Sequence, residues 1–187
     1  MGAVLGPTTD DGDRAGVAGE GYDQIVILMD LIGVRVEIPA NTPMVLLRER
    51  EGRHRLLPIY IGSPEASSIH YALEGVTPPR PLTHDLFLQT LEVLGARVER
   101  VVVTDMIEHT YYAELHLETS AGAKVISSRP SDAIALAVRC DAPLYASDEL
   151  IDEVGQEPEP EGEEQADEIL DEFHDFIENV SPEDFAG

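Results

Sequence analysis

Alternation of apolar and polar residues defines most of the strands that this chain is expected to form. The run Gly33–Ile38 alternates apolar and charged side chains, and Tyr111–Glu118 returns to the same period of two, which is typical of strands with one wet face. Ile25–Met29 is apolar throughout, but it is far too short to span a bilayer and indicates a buried strand. Met44–Arg48 and Arg55–Ile61 flank a short charged segment, which predicts a hairpin.

Apolar residues at helical spacing predict three short helices in the same region. The first begins at Ser63-Pro64-Glu65 and ends at Gly75, the second runs from Thr83 to Gly95, and the third from Ser131 to about Cys140. The second helix is expected to face the sheet with a set of mostly apolar residues, namely Leu86, Phe87, Thr90, Leu91 and Leu94.

The remaining segments complete the expected fold. Period-two segments between residues 97 and 127, separated by polar turns, predict an antiparallel meander. The run Ala142–Ala146 is expected to add an edge strand after the third helix. Together the pattern predicts an α+β domain over residues 25–154, with a mixed, largely antiparallel sheet and three short packed helices.

Charge separates the two ends of the chain from this domain. The protein has 187 residues and a formal net charge of −25, and residues 155–187 hold thirteen acids and no Lys or Arg. Residues 1–24 are rich in Gly, Asp and Thr, with no apolar stretch of the signal-peptide type, and are predicted to be disordered. The single cysteine excludes an internal disulfide and is consistent with a reducing cytoplasm.

Residues 155–187 are predicted to form an acidic linker followed by an amphipathic helix. Its apolar positions recur at helical spacing among acids, at Ile169, Phe173, Phe176, Ile177 and Val180. An isolated helix of about 15 residues is marginal in water, so it is expected to dock on its own domain or on a protein partner. Because its polar face carries only acids and one His, a membrane is not the expected partner.

Two similar motifs mark the expected functional region. Pro78–Leu86 and Ser128–Ala133 each place an Arg and a Pro before a hydroxyl residue and an Asp, at the predicted start of a helix. Thr83 and Ser131 suit the N-cap position, because their side-chain oxygens can accept a bond from a free backbone N–H. A helix N-terminus beside an Arg is also a candidate anion site, although capping alone would explain the hydroxyl and acidic residues.

Each candidate residue has a chemical role and a simpler structural alternative. His84 with Asp85 suits a general base and an orienting or metal-binding carboxylate, or a capped helix turn with a surface histidine. Arg80 and Arg129 suit bidentate phosphate binding, or ion pairs with neighbouring acids. Glu65 is either a third carboxylate of the site or a favourable charge in the first turn of its helix.

Three runs together resemble the bifunctional nuclease domain family, which is widespread in bacteria. They are Leu57–Ala66, Pro79–Leu86 and Ser128–Ala137, and the resemblance covers roughly residues 25–154. The family name implies cleavage of RNA and DNA. On that resemblance, the protein would be a metal-assisted phosphodiesterase, with Mg²⁺ or Mn²⁺ held by the carboxylates Asp85, Asp132 and Glu65. Its catalytic residues would be His84, which activates water, together with Asp85 and Asp132. The residues that would contact the substrate are Arg80, Arg129, Thr83 and Ser131.

The charge of the domain argues against a nuclease and favours an alternative function. Residues 25–154 hold nineteen acids and eleven Lys or Arg, which disfavours nucleic-acid binding through a broadly basic surface. The chain could instead be a non-catalytic regulatory module that binds an anion or a protein and uses its acidic tail for interaction. A homo-oligomer is expected in either case, because short strands leave sheet edges that need covering.

Overall fold

The computed structural model describes residues 25–158. The predicted disordered segment 1–24 and the predicted tail helix lie outside the described residues. The described chain forms one seven-stranded sheet and four helices, β1 Val26–Glu37, β2 Thr42–Glu49, β3 Leu56–Tyr60, α1 Ser63–Leu73, α2 Thr83–Val93, β4 Ala96–Ile107, β5 Thr110–Thr119, β6 Gly122–Ser128, α3 Pro130–Cys140, β7 Leu144–Ser147 and α4 Asp148–Val154. The predicted α+β class with a mixed, largely antiparallel sheet is confirmed.

The sheet consists of two antiparallel halves joined by its shortest strand. Its order is β3-β2-β1-β7-β4-β5-β6, so β1 to β3 form one half and β4 to β6 the other. Strand β7 pairs antiparallel with β1 and parallel with β4. The prediction of an edge strand here was wrong, because Leu144 and Ala146 are buried between neighbours on both sides.

Strand β1 also differs from expectation, since it is continuous where two strands, Ile25–Met29 and Gly33–Ile38, were predicted. Its pairing with β2 shifts by one residue between Leu31 and Gly33, where a bulge lies. The extra residue allows one strand to pass the irregular position without ending.

Three helices cover one face of the sheet and enclose the core. Helix α3 lies at the centre of this layer, packs against α1 and against strands β4 and β5, and buries Ile134 completely. The core contains aliphatic residues from every layer, including Leu47, Ile69, Val101 and Leu115. No helix in the described part of the chain is long and apolar enough to cross a membrane.

Helix α2 packs differently from the prediction. It buries none of its residues fully and directs Leu88 and Leu91 toward the core, whereas Leu86, Phe87 and Leu94 are 58%, 43% and 71% exposed. The predicted inward face was therefore largely wrong. The helix contacts α3 and β4 at the side of the layer, so only a narrow stripe of its surface meets the core.

A buried charged group joins the connection between β2 and β3 to helix α4. The Arg55 side chain, 7% exposed, donates to Glu49 Oε1 at 2.6 Å and to Asp152 Oδ1 at 2.5 Å on the added helix α4. Ser147 Oγ caps α4 by accepting from the backbone N–H of Leu150. Gln156 then pairs with Leu56, so the chain follows the edge of β3 beyond residue 154.

Candidate functional site

The N-termini of α1 and α3 lie next to each other, and α2 begins beside them. Helix α1 follows β3 and α3 follows β6, the two outer strands of the sheet, and an ion pair of 3.1 Å from Arg129 at the start of α3 to Glu65 in the first turn of α1 joins the two helix starts. They border a cavity of about 600 Å³ lined by residues of all three helices, among them Glu65, Ser68, His84, Arg129 and Asp132. The two sequence motifs thus meet at one polar site.

His84 occupies the middle of this site, and both of its ring nitrogens have partners. Its Nδ1 lies 2.9 Å from Ser68 Oγ on α1, and its Nε2 lies 3.4 Å from Asp132 Oδ1 on α3. The His84 side chain is 16% exposed and Asp132 is 35% exposed. A histidine placed between a hydroxyl and a carboxylate can move a proton from the first and be stabilised as a cation by the second.

Arg129 holds the carboxylate side of the site. Its Nε donates to Asp132 Oδ2 at 2.7 Å and its Nη2 to Oδ1 at 2.9 Å, while Nη2 also lies 3.1 Å from Glu65 Oε1. The bond from Arg129 is the main reason that the pKa of Asp132 lies below its ordinary value. The Arg129 side chain is 65% exposed, so its guanidinium remains accessible from solvent.

Asp85 forms a separate and more buried pair. Its Oδ1 accepts from Arg139 Nε at 2.7 Å, and its Oδ2 accepts from the backbone N–H of Leu82 at 2.8 Å. Burial alone would raise the pKa of Asp85, but the bonds from Arg139 and Leu82 outweigh it and hold the pKa below its ordinary value. With both oxygens bonded, Asp85 fixes the start of α2 against α3.

Arg139 connects the three helices behind the cavity. Besides Asp85 on α2, it donates to Ser68 O at 3.0 Å and Ser68 Oγ at 3.1 Å on α1, and to Ala135 O at 2.8 Å on its own helix. Its side chain is 9% exposed. Ser68 Oγ therefore lies between a fixed guanidinium and the Nδ1 of His84.

The structure places the other predicted residues less centrally. Thr83 lines the cavity, but the predicted capping roles of Thr83 and Ser131 were wrong, because the N-cap residues are Leu82 and Arg129 and neither helix has a side-chain cap. The N-caps lie one residue before Thr83 and two residues before Ser131, whereas α2 begins at Thr83 as predicted. Arg80 is exposed and, within residues 25–158, pairs with no acid.

Ser131 belongs to a second cavity beside the first. This cavity, of about 370 Å³, is lined by Tyr60, Tyr111, Ser131 and Arg129 among others. Ser131 is 6% exposed. Arg129 lines both cavities and so marks the boundary between them.

Sequence reasoning missed Ser68 and Arg139, although their spacing carried a signal. Ser68 follows Glu65 by three positions on α1, and Arg139 follows Asp132 by seven positions on α3. Both spacings return to the same face of a helix. Each missed residue therefore shares a face with a residue that was predicted to belong to the site.

The carboxylates of the site do not form a cation cage as they stand. Among residues 25–158 no group of three or more His, Cys, Asp or Glu side chains is arranged to hold a metal ion. Asp132 and Glu65 both pair with Arg129, and Asp85 pairs with Arg139. A Mg²⁺ or Mn²⁺ ion would have to displace guanidinium groups from these oxygens, so the donor set does not fit the predicted metal.

Comparison with known proteins gives the family. The model of a family described as the bifunctional nuclease domain matches residues 45–159. The chain is 39% identical over 160 residues to an uncharacterised protein of Mycobacterium tuberculosis, covering 83% of this chain and 95% of that protein.

Plant proteins match over a shorter region. Bifunctional nuclease 1 of Oryza sativa subsp. japonica is 30% identical over 117 residues, which is 61% of this chain and 35% of the plant protein. Bifunctional nuclease 1 of Arabidopsis thaliana is 31% identical over 111 residues, which is 58% of this chain and 34% of that protein. The chain belongs to the bifunctional nuclease domain family.

Proposed function

We propose that this protein is a nuclease that cleaves phosphodiester bonds of RNA and DNA in the cavity between α1, α2 and α3. The observation that carries the proposal is His84, held between Ser68 and Asp132 next to the accessible guanidinium of Arg129. The names of the plant relatives support the same activity.

Arg129 is the residue that binds the phosphate. Its Nε and Nη2 donate to Asp132 and Glu65, and within residues 25–158 its Nη1 has no such partner, so Nη1 is the donor for a phosphate oxygen. Its exposure allows a substrate to reach it without a change of backbone. The partial positive charge at the starts of α1 and α3 adds to its attraction for an anion, which offsets the acidity of the domain locally.

His84 is the general base, and Asp132 is its orienting partner. The depressed pKa of Asp132 keeps it ionised at neutral pH, so it stabilises the imidazolium that forms when His84 takes a proton. Arg129 also faces the phosphate on which negative charge develops during displacement. Base and phosphate-binding group thus belong to one connected set of side chains.

The predicted divalent cofactor, Mg²⁺ or Mn²⁺, needs an experiment of its own. Mg²⁺ or Mn²⁺, when bound to a nuclease, supplies charge stabilisation to the phosphate and lowers the pKa of bound water. Because the donor set does not fit such an ion as it stands, we expect activity that survives chelation by EDTA.

The test compares the full-length protein with two histidine variants on labelled single-stranded RNA and duplex DNA. His84→Ala removes the base and is expected to lower kcat by about 10²-fold or more. His116→Ala is the matched control, because His116 is 15% exposed and bonds to Glu114 at 3.0 Å, but lies on β5 outside the site. Its activity should equal that of the wild type.

The outcomes separate the two functions. Cleavage that is lost in His84→Ala and kept in His116→Ala supports the nuclease and its site. Equal cleavage in both variants would place any activity elsewhere. No cleavage by the wild type, with or without Mg²⁺ or Mn²⁺, would favour the non-catalytic anion- or protein-binding module.

Three further expectations accompany the proposal. A homo-oligomer stays a prediction that analytical ultracentrifugation of the full-length chain would test. The acidic tail is expected to bind a protein partner or its own domain, and residues beyond 158 lie outside the described part of the chain. A cytoplasmic location stays a prediction from the cysteine content.

A further inference from the structure

The proton that His84 can accept is determined by its surroundings. Asp132 is ionised and can only accept hydrogen bonds, so the hydrogen on the imidazole belongs on Nε2, which faces it. Nδ1 of the neutral ring then carries a lone pair. Ser68 Oγ, 2.9 Å away, must donate its hydrogen to that lone pair.

This geometry leaves no ring nitrogen of His84 free for a water molecule. Both nitrogens have protein partners, and the partner that carries a transferable proton is the hydroxyl of Ser68. A base acts on the proton within its hydrogen-bonding reach. His84 is thus placed to deprotonate Ser68 and not, in the first step, a water molecule.

A reactive hydroxyl needs a nearby positive charge as well as a base, and Arg139 supplies that charge. Its Nη2 lies 3.1 Å from Ser68 Oγ and 3.0 Å from Ser68 O, in a side chain that is 9% exposed. A buried guanidinium favours the charged form of an adjacent oxygen and holds it in one position. The Asp85 carboxylate fixes that guanidinium in turn.

We propose that Ser68 is the nucleophile of this site, an inference that rests on the proposed nuclease function. Ser68 Oγ forms a bond to the phosphorus of the substrate while its proton passes to His84 Nδ1. The bond from phosphorus to one bridging oxygen breaks, and the electron pair leaves on that oxygen. The leaving oxygen takes the proton from His84 and departs as a nucleic-acid hydroxyl.

The second step restores the enzyme. With Ser68 esterified, Nδ1 of His84 is free to accept a proton from water, whose oxygen attacks the phosphorus. The bond between phosphorus and Ser68 Oγ breaks, and Ser68 regains its proton from His84. The product is a phosphate monoester at the cleaved end.

A protein nucleophile has a consequence for the choice of substrate. Cleavage that depends on the 2′-hydroxyl of the substrate is confined to RNA and produces a cyclic phosphate. A serine makes that hydroxyl unnecessary, so one site can cleave RNA and DNA alike. The reaction should therefore produce linear monoester ends from both nucleic acids.

A fluorophosphonate probe tests the nucleophile directly. Attack by Ser68 forms a stable phosphorus–oxygen bond, breaks the phosphorus–fluorine bond and releases fluoride. The full-length protein is treated with the probe and the modified residue is found by peptide mass spectrometry. Ser67→Ala is the matched control, because Ser67 lines the same cavity but donates its hydroxyl to the carbonyl of Ser63 at 3.0 Å.

The expected result is one adduct, on Ser68, in the wild type and in Ser67→Ala, and none in Ser68→Ala. His84→Ala should slow labelling by about 10²-fold. Asp132→Asn provides a second, milder variant, with circular dichroism to show that each protein is folded. Absence of an adduct on Ser68, or labelling at the wild-type rate in both folded variants, would overturn the inference.

The same experiment separates this inference from the proposed function. Labelled Ser68 in a protein that cleaves no nucleic acid would uphold the nucleophile and overturn the nuclease. Cleavage that continues at the wild-type rate in Ser68→Ala would uphold the nuclease and overturn the nucleophile, leaving Ser68 as a residue that only positions His84.

Discussion

Replacement of Arg139 by Met should destabilise the protein by about 3 kcal/mol. The substitution keeps the length of the side chain but removes its four hydrogen bonds to Asp85, Ser68 and Ala135. The ion-paired bond to Asp85 contributes about 1.5–3 kcal/mol, and each bond from the guanidinium to a neutral oxygen contributes at least about 0.5 kcal/mol. We take the lower end of the summed range, because the Asp85 side chain is 27% exposed and water can replace part of the hydrogen bonding that it loses with Arg139.

The free energy of unfolding from urea titration, followed by circular dichroism, measures this cost. Arg50→Met is the matched control, since Arg50 also pairs with an aspartate, Asp30, but the two side chains are 53% and 34% exposed. Exposed pairs of this kind contribute about 0–1 kcal/mol. Equal costs for the two substitutions would refute the reasoning that burial gives the Arg139 pair its importance.

The difference in unfolding free energy between the wild type and Arg139→Met should also depend on pH. Because the pKa of Asp85 is lowered in the folded protein, its pair with Arg139 adds stability above the unfolded-state pKa and loses it as the pH falls through the folded-state pKa. In Arg139→Met, Asp85 loses its cation and keeps the bond from Leu82, so its pKa rises relative to the wild type and protonation relieves the unpaired charge. The gap between wild type and variant should therefore narrow between neutral pH and about pH 3.

Three other substitutions probe the rest of the structure. Arg129→Lys should lower kcat/KM by at least about tenfold in the nuclease assay, since an ammonium cannot hold both oxygens of Asp132 and contact the phosphate at the same time. Arg55→Met should cost about 3–5 kcal/mol of unfolding free energy in urea, because it leaves Glu49, 3% exposed, without its cation. Phe87→Ala should cost less than about 1 kcal/mol while Ile134→Ala costs about 2–5 kcal/mol, and the reverse order would contradict the observed orientation of α2.

Most elements of the fold could be predicted from local patterns in the sequence. Alternation and helical spacing located the hairpin, the meander and the first three helices, because these elements depend on neighbours close in sequence. The position of β7 could not be predicted in that way. A four-residue apolar strand looks the same at the edge or the centre of a sheet, and its place depends on β1 and β4, which are distant in sequence.

The site was predicted in part for the same reason. The repeated pattern of Arg, Pro, hydroxyl and Asp pointed to His84, Asp132 and Arg129, which the fold brings together. The pattern gave no indication that Asp85 would pair with Arg139, which is distant in sequence. It also gave no indication that His84 would contact Ser68. These partners come from other helices, so only tertiary packing decides which acid serves structure and which contacts the base.

The central position of β7 has a consequence for synthesis of the protein. Until residues 144–147 leave the ribosome, the strands made first and the strands made later have no shared backbone pairing, and β1 and β4 each present an unpaired edge. Such edges favour aggregation of a nascent chain. The domain therefore cannot complete its sheet during translation until nearly all of it has emerged, and chains that end before residue 144 should be poorly soluble and readily degraded.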